Sequence, residues 1–324
     1  HSVSAIVGGV SKPISEKDRL AILERAQRSV EFAKQSLKLF DDIVLGNSEY
    51  VEMITSDSFS HRTYYMGLVD ENNHVNFYDG KVRVVSPNGE ELVKYGPDDY
   101  LDVIAEHVEP WTYLKFPYLK EVGWKGFVDG ENSGVYRASP LSRLNVADGM
   151  ATPEAQAMYE KFYKTLGGKP VHSTLATHWA RLIEILYAAE RSVELASDKS
   201  ITDPKVHTIP TETPTEGIGI VEAPRGTLTH HYKTDERGLL QAVNLIVGTT
   251  NNYAAIDMSI VKAAKSLIKA GEKVSETALN KIEMAFRAYD PCIGCATHAQ
   301  PGETPLKIKL FDHQHNLIEE IQRD

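Results

Sequence analysis

The 324-residue chain is 42% apolar and 25% charged, with a formal net charge of −10, an ordinary balance for a globular protein with a large core in one big domain or two. Its lysines alternate with acids, which argues against the basic face that nucleic acid needs, and no run approaches the roughly 18–20 apolar residues of a membrane span. Two cysteines three apart give no disulfide framework and, with no leader pattern at the start, point to the reducing cytoplasm.

In chain order, residues 15–44 read as one long helix. Leu20, Ile22, Leu23, Ala26, Val30, Ala33, Leu37, Phe40 and Val44 recur at spacings of three and four behind a Ser15-x-x-Asp18 cap. About 30 residues at 1.5 Å each span about 45 Å, the scale of a central helix in a large subunit. Short runs at 64–66, 75–78, 82–85 and 91–93, broken by Asp79-Gly80 and Asn88-Gly89, predict a small antiparallel meander with His61 and His74 on the surface. Residues 109–150 set Trp111, Tyr113, Phe116, Tyr118, Trp124 and Phe127 among prolines and glycines, and read as a wrap around a core without regular structure. Helical spacing returns at 153–166 and 175–195, and residues 198–214 form a loop.

Gly217-Ile218-Gly219 lacks the third glycine and following helix of a dinucleotide fingerprint. Residues 222–226 read instead as a turn between two strands, the second carrying His230. Helices at 253–270 and 275–289 then lead to the cysteines, and the alternation at 305–311 predicts a strand with one buried face. The fold class is α+β: mainly long helices forming a central bundle, with small antiparallel β-sheets.

Both cysteines fall in Asp290-Pro291-Cys292-Ile293-Gly294-Cys295-Ala296-Thr297-His298. Two thiols and an imidazole at spacings of three suit nickel, iron or zinc, and the same letters serve a disulfide, a redox Cys-x-x-Cys or half of a zinc site. In the turn, Arg225 offers a planar, permanently charged fork to an anion or diatomic ligand, although a turn arginine is usually solvated.

Asp-Pro-Cys-x-x-Cys-x-x-His resembles the C-terminal signature of nickel–iron hydrogenase large (catalytic) subunits. Glu222-Ala223-Pro224-Arg225-Gly226 and Val247-Gly248-Thr249-Thr250-Asn251 resemble that family's arginine motif and threonine segment, in the family's order. His1-Ser2-Val3-Ser4-Ala5-Ile6-Val7-Gly8-Gly9 resembles the second half of another motif, and Tyr136-Arg137-Ala138-Ser139-Pro140-Leu141-Ser142-Arg143-Leu144-Asn145 fits the middle of the subunit.

The resemblance implies reversible heterolytic cleavage of H2 at a nickel–iron centre whose iron carries CO and two cyanide (CN) ligands. Cys292 would be the terminal thiolate that accepts the proton and Cys295 the bridge; Arg225 and the Thr249 hydroxyl would donate to cyanide. His298 would bind a separate magnesium (Mg) ion near the mature C-terminus. His230 either joins this surround or is satisfied by its strand. Charge alone suggests that Asp290 pairs with Arg225 and fixes its direction.

Electrons would leave through iron–sulfur clusters on a small subunit, which these two cysteines cannot supply. The Thr-His-His-Tyr-Lys and Tyr-Arg-Ala-Ser-Pro-Leu variants look like the cytoplasmic NAD(P)- or deazaflavin-coupled type, so NAD(P) is expected on reductase subunits. The family's upstream acidic proton relay and first Cys-x-x-Cys are not found here, and an N-terminal part is therefore expected to be missing from a catalytic domain at 1–298. Residues 299–324 are expected to be an extension cut between His298 and Ala299 by a C-terminal endopeptidase. That makes the chain an inactive precursor whose partner is a maturation protein such as a nickel chaperone. The runner-up is a metal-free quinone-site scaffold subunit like that of respiratory complex I, for which the two cysteines would serve no purpose; a zinc or redox module lacks a fourth ligand.

Overall fold

The computed structural model describes residues 3–292 and 306–323, in two compact units, residues 1–290 and 291–324. The large unit opens with a ribbon of β1 (Ala5–Ile6) and β2 (Gly9–Val10). Helix α1 (Glu16–Phe40) starts where the Ser15 hydroxyl accepts the Asp18 N–H at 3.1 Å, and it runs on as a π-helical turn at Asp41–Leu45 before α2 (Ser48–Thr55). The predicted stripe is partly right: Ala26, Ala33 and Leu37 are buried, while Leu20 and Ile22 face outward at 51% and 40% exposure.

Strands β3 (Tyr64–Val69), β4 (His74–Val75), β5 (Lys81–Val85) and β6 (Glu91–Tyr95) form the predicted antiparallel meander. Next come α3 (Tyr100–Val103) and the hairpin of β7 (Ile104–Val108) with β8 (Lys115–Leu119). After them lie β9 (Tyr136–Arg137), α4 (Pro140–Val146) and β10 (Gly149–Met150). The expectation of no regular structure over 109–150 is therefore corrected. Every residue of α4 is buried, so it has no polar face and no amphipathic period to read. Strands β9 and β10 join the meander in parallel, to β3 and β4, which makes the sheet mixed. Trp124 does pack as expected, 5.8 Å from the Phe116 ring and 5.2 Å from that of Phe127.

Helices α5 (Pro153–Thr165) and α6 (Thr177–Ser197) follow. Helix α6 lies antiparallel to α1: Arg19 at the start of α1 donates to the Ala196 carbonyl at 2.7 Å, and Phe40 at its end meets Trp179 at 5.5 Å. A three-stranded antiparallel sheet of β11 (Glu216–Ala223), β12 (Gly226–Thr234) and β13 (Leu240–Ile246) precedes α7 (Tyr253–Leu267) and α8 (Glu276–Arg287).

Strand β3 is buried along its whole length because both its faces are covered. Tyr65 and Val69 enter a core with Leu37, Leu144, Phe162, Trp179 and Ile183, whereas Tyr64, Met66 and Leu68 enter another with Val84, Tyr95, Tyr100, Ile220 and Ile246. Two-residue alternation thus puts helices on one side of the sheet and the β11–β13 sheet on the other.

His61, expected on the surface, is only 2% exposed. Its carbonyl accepts from Arg137 Nη2 at 2.6 Å and its Nδ1 lies 3.4 Å from the Ser259 hydroxyl. These long-range partners leave no trace in the neighbouring sequence. In the small unit, β14 (Leu306–Phe311) matches the predicted strand and pairs with β15 (Leu317–Arg323), which Leu-Ile-Glu-Glu-Ile-Gln-Arg hides because it does not alternate. No helix among the described residues is long and apolar enough to cross a membrane.

Candidate active site

The turn joining β11 to β12 carries Arg225, and the chain around it allows no slack. Gly226 has φ 149°, and a Cβ there would stand 2.1 Å from the Ala138 carbonyl oxygen, so only glycine lets the turn lie against the end of β9. The Asn252 amide, fully buried, donates to the Arg225 carbonyl at 2.9 Å and to the Gly248 carbonyl at 3.1 Å, while its oxygen accepts the Ala138 N–H at 2.9 Å. Next to it, Asn251 donates to the Thr227 carbonyl at 2.6 Å and accepts from the Tyr136 hydroxyl at 2.6 Å. Buried amides with every group paired fix a single arrangement of three segments.

The Arg225 side chain is held from its flank. Nε donates to the Asp290 carbonyl at 2.5 Å and stands 3.1 Å from the Asp290 carboxylate. Asp290 follows α8 in the left-handed region, φ 51°, with its N–H on the Arg287 carbonyl at 2.9 Å. Among the described residues, the two Nη groups of Arg225 meet no acceptor.

Beneath the turn sits a buried charge network that the sequence reading missed. Arg143 donates through Nε and Nη2 to Glu184 at 2.6 Å each, through Nη1 to Glu222 and the Ala223 carbonyl at 2.8 Å each, and through Nη2 to the Pro224 carbonyl at 3.2 Å. All five donors are used. Glu222 also accepts from the Leu68 N–H at 2.8 Å and the Thr227 hydroxyl at 2.9 Å. Burial pushes the Glu222 carboxyl above its usual range, against the pull of Arg143. A signal was available in Glu184, a charged residue on the buried face of α6 beside Ala180 and Tyr187, where it needs a partner.

Arg181, one turn earlier on α6, donates Nη2 to the Ala288 carbonyl at 3.0 Å, and its buried Nε has no partner among the described residues. Together with Phe77, Arg143, Glu184 and Pro224 it lines a cavity of about 310 Å³.

Thr249 is buried at the start of the 3-10 turn Thr250–Asn252. His230 lies on the opposite face of β12 from the buried Thr229 and His231 and meets the Tyr232 hydroxyl at 2.8 Å. The buried histidine of the pair is His231, between the Tyr100 hydroxyl at 2.8 Å and Glu216 at 2.7 Å. Cys292 belongs to the small unit. Cys295, His298 and Ala299 lie outside the described residues.

The two cysteines of one motif are donors of the type that a soft or borderline first-row metal takes. The described residues alone gather no group of three or more His, Cys, Asp or Glu side chains around a metal position.

Comparison with known proteins agrees with this chemistry. The family model described as nickel-dependent hydrogenase matches residues 20–298. The chain is 45% identical over 322 residues to an iron-sulfur subunit of the F420-non-reducing hydrogenase of Archaeoglobus profundus, covering 99% of this chain and 66% of that protein. It is 39% identical over 332 residues to the beta subunit of the NAD-reducing hydrogenase HoxS of Cupriavidus necator, covering 100% and 65%. The crystal structure of an NAD+-reducing [NiFe]-hydrogenase in the H2-reduced state superposes with a TM-score of 0.81 at 37% identity, over 91% of this chain and 63% of that one. The chain thus spans about two thirds of the length of these relatives. With the family match running unbroken through the arginine turn to the cysteine motif, the chain belongs to the nickel-dependent hydrogenase family.

Proposed function

We propose that the chain is the catalytic part of a nickel–iron hydrogenase large subunit. The observation that carries this reading is the Arg225–Asp290 pair, which ties the arginine turn to the residue two before Cys292. Cys292 and Cys295 would hold nickel, with Cys295 shared with an iron bearing CO and cyanide, and His298 would hold magnesium. When bound, that centre supplies the heterolytic cleavage and formation of H2. The chain's own part is to bind and orient. Arg225, fixed through Nε, would offer its Nη donors to the diatomic ligands, Thr249 would add a hydroxyl donor, and the Cys292 sulfur would take up and release the proton. Aimed in advance, such donors need no reorganisation during reaction.

An NAD-reducing hydrogenase among the relatives supports a reading of the coupling. A small subunit with iron–sulfur clusters would receive the electrons, and NAD(P)-reductase subunits would pass them on. Residues 299–324, which include the β14–β15 hairpin, would be an extension removed on maturation, so that the uncut form binds a nickel chaperone and then the endopeptidase. Processing should shorten the chain by the mass of residues 299–324, and a full tail in the active, nickel-loaded enzyme would rule that reading out.

Infrared spectra of the assembled enzyme test the main proposal. CO and cyanide bands with nickel and iron near one each are expected, and their absence would sink it. In that enzyme Cys295→Ser should abolish nickel retention, since a hydroxyl is a far poorer ligand than a thiolate. Arg225→Lys should keep the metals and cut turnover by about 100-fold, the scale of losing one preorganised donor.

A further inference from the structure

Arg225 is aimed by more than its own ion pair. The residues before it, Ala223 and Pro224, offer their carbonyls to a single guanidinium, that of Arg143, at 2.8 and 3.2 Å. Arg143 is itself held on several sides. Glu184 on α6 grips it with two bonds of 2.6 Å, its side chain is 2% exposed, and its backbone sits on β3 at Gly67, where an added Cβ would come within 3.0 Å of the Arg143 Cα. Glu222 closes the loop, bonding Arg143 on one side and the Leu68 N–H of the same strand on the other, while the Glu222 N–H donates to the Phe77 carbonyl at 2.9 Å. Thus α4, α6 and β3 converge on three consecutive residues, 222–224, and the next residue is the arginine.

We infer that Arg143 is a positioning residue: it fixes the backbone of residues 222–224 and thereby the direction in which Arg225 leaves the turn, a role that rests on the hydrogenase reading of Arg225. A purely structural ion triad would need only the carboxylates of Glu184 and Glu222. The two carbonyl bonds to 223 and 224 are the part that stability does not require, because at a turn water can satisfy a carbonyl as well. Five donors in one rigid plane are needed to serve two carboxylates and two carbonyls together, and lysine, with three donors about a single point, cannot reproduce that.

The experiment compares wild type, Arg143→Lys and Glu222→Gln as assembled holoenzymes, by local amide exchange and by steady-state kinetics. Arg143→Lys should speed exchange over residues 222–226 by 10-fold or more while leaving β3, apart from the Leu68 amide that Glu222 accepts, at its wild-type rate, and should lower kcat for H2 by 10-fold or more with KM within twofold. Glu222→Gln keeps shape and the Arg143–Glu184 bonds, and covers the case in which the lysine variant does not assemble; it should give the same local pattern at roughly a third of the size. Exchange that is unchanged at 222–226, or that rises equally in β3, overturns the inference. The exchange readout does not need turnover, so a wild-type enzyme inactive on H2 would count against the hydrogenase reading alone.

Discussion

Asn252 shows how much one side chain does here. It serves Ala138, Arg225 and Gly248 with three bonds and has no exposure, so Asn252→Ala strands buried backbone groups at about 1–3 kcal/mol each. A loss of about 3 kcal/mol or more is expected in denaturant unfolding, where a surface asparagine would cost almost nothing. The buried histidines act through protons instead. Burial, aided by Arg137, lowers the His172 pKa to about 4 and that of His61 well below 6.5. In the unfolded chain both take up protons as pH falls below 6.5, and in the folded chain they do not until much lower. Stability is therefore intact above about pH 6.5 and drains away towards pH 4. His172→Gln, which keeps a partner for the Tyr65 hydroxyl at 2.6 Å, should flatten the fall of unfolding free energy across that window. An unchanged slope would rule out His172 as a source.

Among the elements, the hairpin β11–β12 is the least forgiving. Gly226→Ala forces a Cβ into the Ala138 carbonyl, and the strain can be relieved only by moving the turn or β9. Retained folding with a displaced turn, read as loss of protection of the Ala138 amide, is the expected result; wild-type protection would contradict the contact. The hairpin itself was legible, because Pro-Arg-Gly stands between two alternating runs. So were α1, α5, α6, α7 and α8, whose apolar residues recur at the helical period. What the sequence hid has specific causes. Helix α4 is buried on all sides, β9 and β10 are two residues long, and β13, Leu240–Ile246, leaves most of its apolar residues exposed. At the arginine turn, the pairing of Arg225 with Asp290 was legible from charge. The parts played by Arg143, Glu184, Glu222 and Asn252 were not legible, because their long-range partners lie 27 to 154 residues away.

For the molecule as a whole, the decisive feature is that one strand serves two cores. Met66→Ala removes volume only from the core shared with Val84, Tyr95 and Ile246, at about 2–5 kcal/mol. Because Tyr65 and Val69 on the same strand hold the other core, the transition seen by Trp179 fluorescence should shift to lower denaturant together with that seen by near-ultraviolet tyrosine dichroism. Separate midpoints would mean that the cores melt independently.

The same strand has a history during synthesis. The Leu68 amide finds its acceptor in Glu222, 154 residues later, and at about 5–20 residues per second the ribosome takes roughly 10–30 s to deliver it. Through that interval the face bearing Tyr64, Met66 and Leu68 has been made, but Ile220 and Ile246, the part of its cover that β11 and β13 supply, have not. A nascent chain stalled near residue 200 should therefore recruit chaperones that recognise extended apolar strands, and one stalled past residue 250 should release them.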